Sequence, residues 1–527
     1  MSAPAVLGVV GAGTMGSGIA QLGAQAGMRT LLCDPDASAR QHGLDAARAG
    51  IAKLAAKGRL DEDADTVTAR LEAVHDLKDL APCTLIVEAV PERLELKIEL
   101  MGQLSAVAPA AVLASNTSSI SITAIAQGAD DPSRVVGLHF FNPAPLMRLV
   151  ELIAAVQSSP EALAVARAAG EAMGKRVIEA ADGPGFLVNR CGRPFGLEAL
   201  RLLQDRVADV PTIDAIVRAA GFPMGPFELQ DLVGIDVGLE VSKSFAEQSF
   251  GEPRWRPSPL SSRMVAAGRL GRKTGRGWYE YDDEGRPLRE APPAPPAAGP
   301  ARGLVIIAGD PVIAHDLRDL AVEAGWDVAE PDETGGEVPW LVLDCGQETG
   351  EEPLQGAPQA LLVADGSLHQ LDQGGGCVGF HALPPLASGG TVELTRGAYT
   401  TTVAVERTTS FFTSLGLRTV WVTDTPGLVL GRIACQLVNE AAFALQEGVA
   451  ATAKDIDDGM TLGLNHPRGP LAWGDQIGLD HVLMVLDALR AELGEERYRA
   501  APLLRQMVSE GRVGVATGEG FHRYDEA

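Results

Sequence analysis

The chain has 527 residues, too many for one compact core, and at about 150 residues per domain three or four domains are expected. Its net charge of −25 argues against nucleic acid or an anionic membrane surface as partner. Six widely spaced cysteines without a CxxC pair argue against a disulfide framework or a zinc site, and a reducing cytoplasmic setting is expected. No basic leader precedes the first apolar run, and no apolar run approaches the ~20 residues a membrane span needs.

The first predicted strand, Ala5 to Val10, runs into GAGTMGSGIAQ. Gly11, Gly13 and Gly16 have GxGxxG spacing: a tight turn, a close approach to a pyrophosphate, and close helix packing. A second strand, Thr30 to Cys33, ends at Asp34, 18 residues after Gly16. A carboxylate there accepts from a ribose 2′-hydroxyl and repels a 2′-phosphate, which favours NAD over NADP; a helix N-cap at Asp34 is compatible with that role.

Residues 37–80 read as polar helix, with Lys53 and Lys57 at i, i+4 on one face and Arg59 nearby. A solvated face is the plainer reading of such a pair. Further strands are read at Leu85–Val90, leading to Glu88, Glu92 and Lys97, at Ala111–Ser115, leading to Asn116, Thr117, Ser118 and Ser119, and at Val135–Leu138. The last places His139 at a carboxyl end, where open α/β sheets bind ligands. Glu151 follows twelve residues later. A histidine held by a carboxylate, with hydroxyl and amide donors nearby, can take a proton from an alcohol while a cofactor takes the hydride.

From Pro160 the pattern becomes helical to about residue 283, and APPAPPAAGPA then reads as a linker. Beyond it the sequence repeats. His381 lies 242 residues after His139, Pro426 242 after Pro184, and Gly518 243 after Gly275, an offset too steady for chance. The expected division is 1–183 dinucleotide-binding, 184–285 helical, 286–302 linker, 303–424 degenerate Rossmann-like and 425–527 second helical. The second copy reads AGDPVIA in place of the glycine loop and has Gly431 where the first has Asn189. It is expected to bind no dinucleotide, to hold no second active site, and to serve as a structural partner.

GAGTMGSGIAQ, SNTSS, GLHFFNPAPLMRLVE, GPGFLVNR and MGPFELQD together closely resemble the 3-hydroxyacyl-CoA dehydrogenases, across residues 5–283. The resemblance implies an α/β Rossmann-type domain followed by an all-α domain, here with a degenerate second copy of both. It implies His139 as general base, Glu151 as its partner, and Ser118 and Asn189 as donors to the reacting oxygen and thioester carbonyl. It further implies that Gly11, Gly13, Thr14, Met15, Gly16, Asp34, Glu92, Lys97, Asn116, Ser118 and Asn142 contact NAD, and that Lys53 and Lys57 hold CoA. No metal is implied. The tandem layout resembles the longer bacterial members, which points to 3-hydroxyadipyl-CoA or 3-hydroxybutyryl-CoA in phenylacetate or fatty-acid breakdown. A homodimer, or a monomer in which the second copy acts as internal partner, is expected. Other dehydrogenases of this cofactor fold use a lysine or an arginine–histidine pair instead, and a purely structural role fits poorly with a first copy that keeps every expected group.

Overall fold

Two open sheets organise the chain in the computed structural model, which describes residues 4–288, 303–330, 337–346 and 356–524. The first comprises β1 (Val6–Val10), β2 (Arg29–Cys33), β3 (Leu71–Val74), β4 (Leu85–Glu88), β5 (Val112–Ser115), β6 (Val135–Phe140), β7 (Leu149–Ala154) and β8 (Arg176–Ala181). Their spatial order is β3-β2-β1-β4-β5-β6-β7-β8, parallel throughout except for the antiparallel pair β6 and β7. The chain reverses its winding between β1 and β4, and a crevice at such a point is where dinucleotides bind. The near-continuous apolar runs VLGVV and VVGLHF suit strands covered on both faces.

Three strands of this sheet escaped the sequence reading. β3 lies inside the stretch read as helical, while β7 and β8 extend the sheet past the strands that were read. Helix α1 (Thr14–Gln25) follows β1, and helix α2 (Ala37–Ala55) follows β2. Asp36 caps α2, its carboxylate accepting from the amides of Ser38 and Ala39. α2 ends at Ala55, and the chain leaves it through Gly58, whose φ is 63°; Lys53 sits in the last turn and Lys57 just before that glycine.

The second sheet is a shortened copy: β9 (Leu304–Ala308), β10 (Asp327–Ala329), β11 (Leu341–Asp344), β12 (Gln359–Leu362), β13 (Val378–His381), β14 (Thr391–Arg396) and β15 (Arg418–Trp421). Its order is β10-β9-β11-β12-β13-β14-β15, again with one antiparallel pair, β13 and β14. Among the described residues it has no counterpart of β3. Of the linker, residues 286–288 fold back, with the Leu288 amide donating to the Glu280 carbonyl, while residues 289–302 lie outside the described residues.

The chain divides into two compact units, Met1–Arg190 with Glu447–Leu464, and Cys191–Gln446 with Asn465–Ala527. In the first unit a helix from the second half, Ala453–Leu464, lies against β7. Arg176 pairs with Asp455 at 2.6 Å and Asp458 at 3.2 Å, and the Ala181 amide donates to the Val449 carbonyl at 2.9 Å. In the second unit the corresponding segment of the first half is given back. The Thr423 amide donates to the Val207 carbonyl at 2.9 Å, and Ile213, Ile216 and Val217 share a core with Val392 and Leu394 of β14.

A buried polar knot also ties the halves within the second unit. Arg432 pairs with Glu198 at 2.7 Å, and the Tyr498 hydroxyl donates to the same carboxylate at 2.9 Å. Across from it Arg254 pairs with Glu440 at 2.9 Å.

Candidate active site

β6 and β7 run antiparallel with His139 directly opposite Glu151. The twelve-residue spacing is therefore a cross-strand register, and it brings Nδ1 of His139 within 2.6 Å of Oε2 of Glu151. His139 lies inside β6, one residue before its end. Both side chains are buried. The other carboxylate oxygen of Glu151 accepts from the amides of Leu187 and Val188, at 3.0 and 2.9 Å. The carboxylate is thus fixed from two sides, and a fixed carboxylate sets the imidazole's tautomer and orientation.

The SNTSS segment is held by Glu92. Its Oε1 accepts from the Thr117 hydroxyl at 2.6 Å, the Ser119 hydroxyl at 3.0 Å and the Ser118 amide at 3.1 Å. Burial pushes the Glu92 carboxyl up, but Lys97 and these donors outweigh it and hold it below the usual carboxylate range. Lys97 is itself buried, donating to both oxygens of Glu88 at 2.9 and 3.0 Å and lying 3.3 Å from Glu92. Glu88 also accepts from the Ser115 hydroxyl and the Val90 amide. Sequence reading noted Glu88 only in passing; its signal was a carboxylate at the end of an otherwise apolar strand.

Asn116 spans the ends of β5 and β6, its side-chain oxygen accepting from the Phe140 amide at 2.8 Å. The Asn189 amide donates to the Ser118 carbonyl at 3.3 Å, which brings the serine loop and the PGFLVNR segment together. Asn142 is exposed in the connection after β6. Lys53 and Lys57 are exposed at the far end of α2.

The glycine loop fits a dinucleotide. Gly11 has a positive φ of 99°, and a Cβ there would stand 2.7 Å from the Ala89 carbonyl oxygen. A Cβ on Gly16 would stand 1.7 Å from the Gly11 oxygen, so this helix–turn contact admits only glycine. Gly13 caps α1 with no side-chain hydrogen bond, and the space beside it is open. Thr14 and Met15 open the helix, whose amide-rich end is suited to phosphate. Asp34 accepts from the Ala12 amide at 2.9 Å, which places its carboxylate against the loop.

The second half keeps the register and loses the contact. His381 stands opposite Glu393, but both oxygens of Glu393 accept amides, from Val429 and Leu430. The imidazole instead lies over Gly431, where a Cβ would come within 2.4 Å of Cε1, and its Nε2 meets Nε2 of His481 at 3.1 Å. At the other end of the sheet, Pro311 caps the helix after β9, and Arg318 donates to the carbonyls of Ile307 and Gly309. A proline cap has no amide to offer a phosphate.

A Rossmann sheet with an open glycine loop, an acidic residue after its second strand and a buried histidine–carboxylate pair defines an NAD-linked dehydrogenase. Residues 6–183 match the family described as 3-hydroxyacyl-CoA dehydrogenase, NAD binding domain, and residues 185–281 and 427–524 match its C-terminal domain. The chain belongs to the 3-hydroxyacyl-CoA dehydrogenase family.

The chain is 36% identical to 3-hydroxyadipyl-CoA dehydrogenase of Escherichia coli K12, over 94% of this chain and 96% of that one. It is 41% identical to a probable 3-hydroxybutyryl-CoA dehydrogenase of Deinococcus radiodurans, over 52% of this chain and 99% of the relative. The solved structure of 3-hydroxybutyryl-CoA dehydrogenase from Escherichia coli K12 matches with a TM-score of 0.80 at 34% identity, covering 96% and 99% of the two chains. Among the described residues no helix is long and apolar enough to cross a membrane, and no three acidic, histidine or cysteine side chains form a metal-binding group.

Proposed function

We propose that the first half oxidises a (3S)-3-hydroxyacyl-CoA to the 3-ketoacyl-CoA, with His139 as general base and Glu151 as the group that orients and balances it. The observation that carries this reading is the buried 2.6 Å contact between them. His139 Nε2 takes the hydroxyl proton, and Glu151, tied to Nδ1, stabilises the imidazolium that forms. Ser118 and Asn189 donate to the reacting oxygen and the thioester carbonyl, where charge develops.

Gly11, Gly13, Thr14, Met15, Gly16 and Asp34 would hold NAD, which would supply the hydride acceptor. Glu92, Lys97, Asn116 and Asn142 complete its surroundings, Glu92 and Lys97 by keeping the serine segment in place. Lys53 and Lys57 supply local positive charge for the CoA phosphates in a chain whose net charge is −25. The second half, with its dyad parted, does no chemistry and serves the first as a structural partner. The domains run 1–183, 184–285, 286–302, 303–424 and 425–527, and the protein serves acyl-CoA breakdown in the cytoplasm.

The names of the relatives support two acyl groups, adipyl and butyryl. NADH formation from the two 3-hydroxyacyl-CoA esters, compared as kcat/KM, separates them. A tenfold preference for the adipyl ester, about 1.4 kcal/mol, identifies a dicarboxylic substrate. The same assay on His139→Ala should show no turnover, and an active variant would reject the mechanism.

A further inference from the structure

Lys175 lies just before β8, buried, and its Nζ donates to the carbonyls of Ala144 and Met147, each at 2.7 Å. Both carbonyls belong to the connection between β6 and β7, residues 141–148. That connection joins the strand of His139 to the strand of Glu151. Its far side rests on α1: a Cβ on Gly18 would stand 3.0 Å from Pro145 and 3.2 Å from Ala144. One ammonium therefore fixes a segment that touches the dyad strands at both ends and the dinucleotide helix in its middle.

A buried ammonium without a carboxylate is costly, because two carbonyl dipoles replace its water only in part. Burial alone pulls the amine down to about 8. The second half shows that the fold does not need this group. At the equivalent position, 242 residues on, stands Leu417, also buried. There the connection is fastened from the other side, with Asp316 accepting from the Leu386 amide at 2.8 Å. The half whose histidine has parted from its glutamate has also given up the lysine.

We infer that Lys175 is a positioning residue of the dehydrogenase site, clamping residues 141–148 so that His139 and Glu151 keep one working geometry across β6 and β7. The inference rests on the reading of His139 as the base. It acts through the loop and touches neither substrate nor cofactor.

The test compares wild type, Lys175→Met and Lys175→Arg in the reduction of 3-ketobutyryl-CoA by NADH, with thermal unfolding of each. The methionine variant should stay folded and lose tenfold or more in kcat, with KM for both substrates within threefold. The arginine variant, which keeps the charge and the donors, should be at least threefold faster than the methionine variant. A methionine variant within threefold of wild-type kcat overturns the inference, as does an arginine variant no faster than it. So does a loss accounted for by unfolded protein. An inactive wild type, or an active His139→Ala control, would instead reject the functional reading on which the inference rests.

Discussion

Nε2 of His381 and Nε2 of His481 lie 3.1 Å apart, so one imidazole must donate to the other while both stay neutral. Burial lowers both, His481 to about 4, and His381 is lowered further by its neighbour. The unfolded chain titrates these rings near 6.5 and therefore takes up protons first as pH falls. The stability they contribute is full above pH 6.5 and is lost toward pH 4. Glu393 acts in the opposite sense, since burial raises it to about 7, and it offsets part of the loss. Comparison with His481→Val cancels the glutamate. Between pH 7 and pH 5, urea unfolding should show wild type losing roughly 2 kcal/mol more than the variant. Equal losses would mean the pair is charged or solvated in the folded chain.

Glu151→Gln keeps an oxygen for the Leu187 and Val188 amides but removes the charge facing His139. The fold should persist, and kcat should fall by roughly 10²–10⁴. The corresponding Glu393→Gln in the second half should leave kcat unchanged. A fall of less than threefold in Glu151→Gln would remove the carboxylate from the mechanism.

The helix Ala453–Leu464 approaches β7 through Gly463, where a Cβ would stand 2.9 Å from Leu149 and 3.0 Å from Val188. Gly463→Val overfills that contact. It should cost about 1–3 kcal/mol in denaturant unfolding. Hydrogen exchange should speed up in β7 and β8, and a variant with unchanged exchange there would show that the contact carries little.

Arg432 is buried against Glu198, Tyr498 and, at 3.3 Å, Asp205. Removing it alone leaves Glu198 charged and buried. Arg432→Met should therefore cost about 3–5 kcal/mol, while Arg432→Met with Glu198→Met should recover most of that loss. A double variant as unstable as the single one would assign the cost to packing instead of charge.

The sequence displayed the dinucleotide loop because GxGxxG after an apolar run is a local steric demand. The dyad was legible through its spacing, although the reason for that spacing, two residues opposed across an antiparallel pair, is a property of the sheet. Strands β3, β7 and β8 were not read, since four to six residues beside long helical patterns carry too little periodicity of their own. The partner of His381 was invisible for a different reason. His481 lies a hundred residues away in sequence, on a helix whose apolar pattern gives no hint of a polar contact. The end of α2 was legible too, since Gly58 in AAKGRL takes a φ of 63° and the Arg59 amide returns to the Leu54 carbonyl.

The helix that covers β7 of the first sheet belongs to the same polypeptide and is delivered at a local concentration that dilution cannot lower. A contact of this kind between separate chains would weaken as the protein is diluted; here mass action has no hold on it. The second half thus contributes a helix to the first unit through its shape alone. A chain cut after residue 285 would strand Leu149, Leu187 and Val188 without the cover that Gly459 and Gly463 now bring to them.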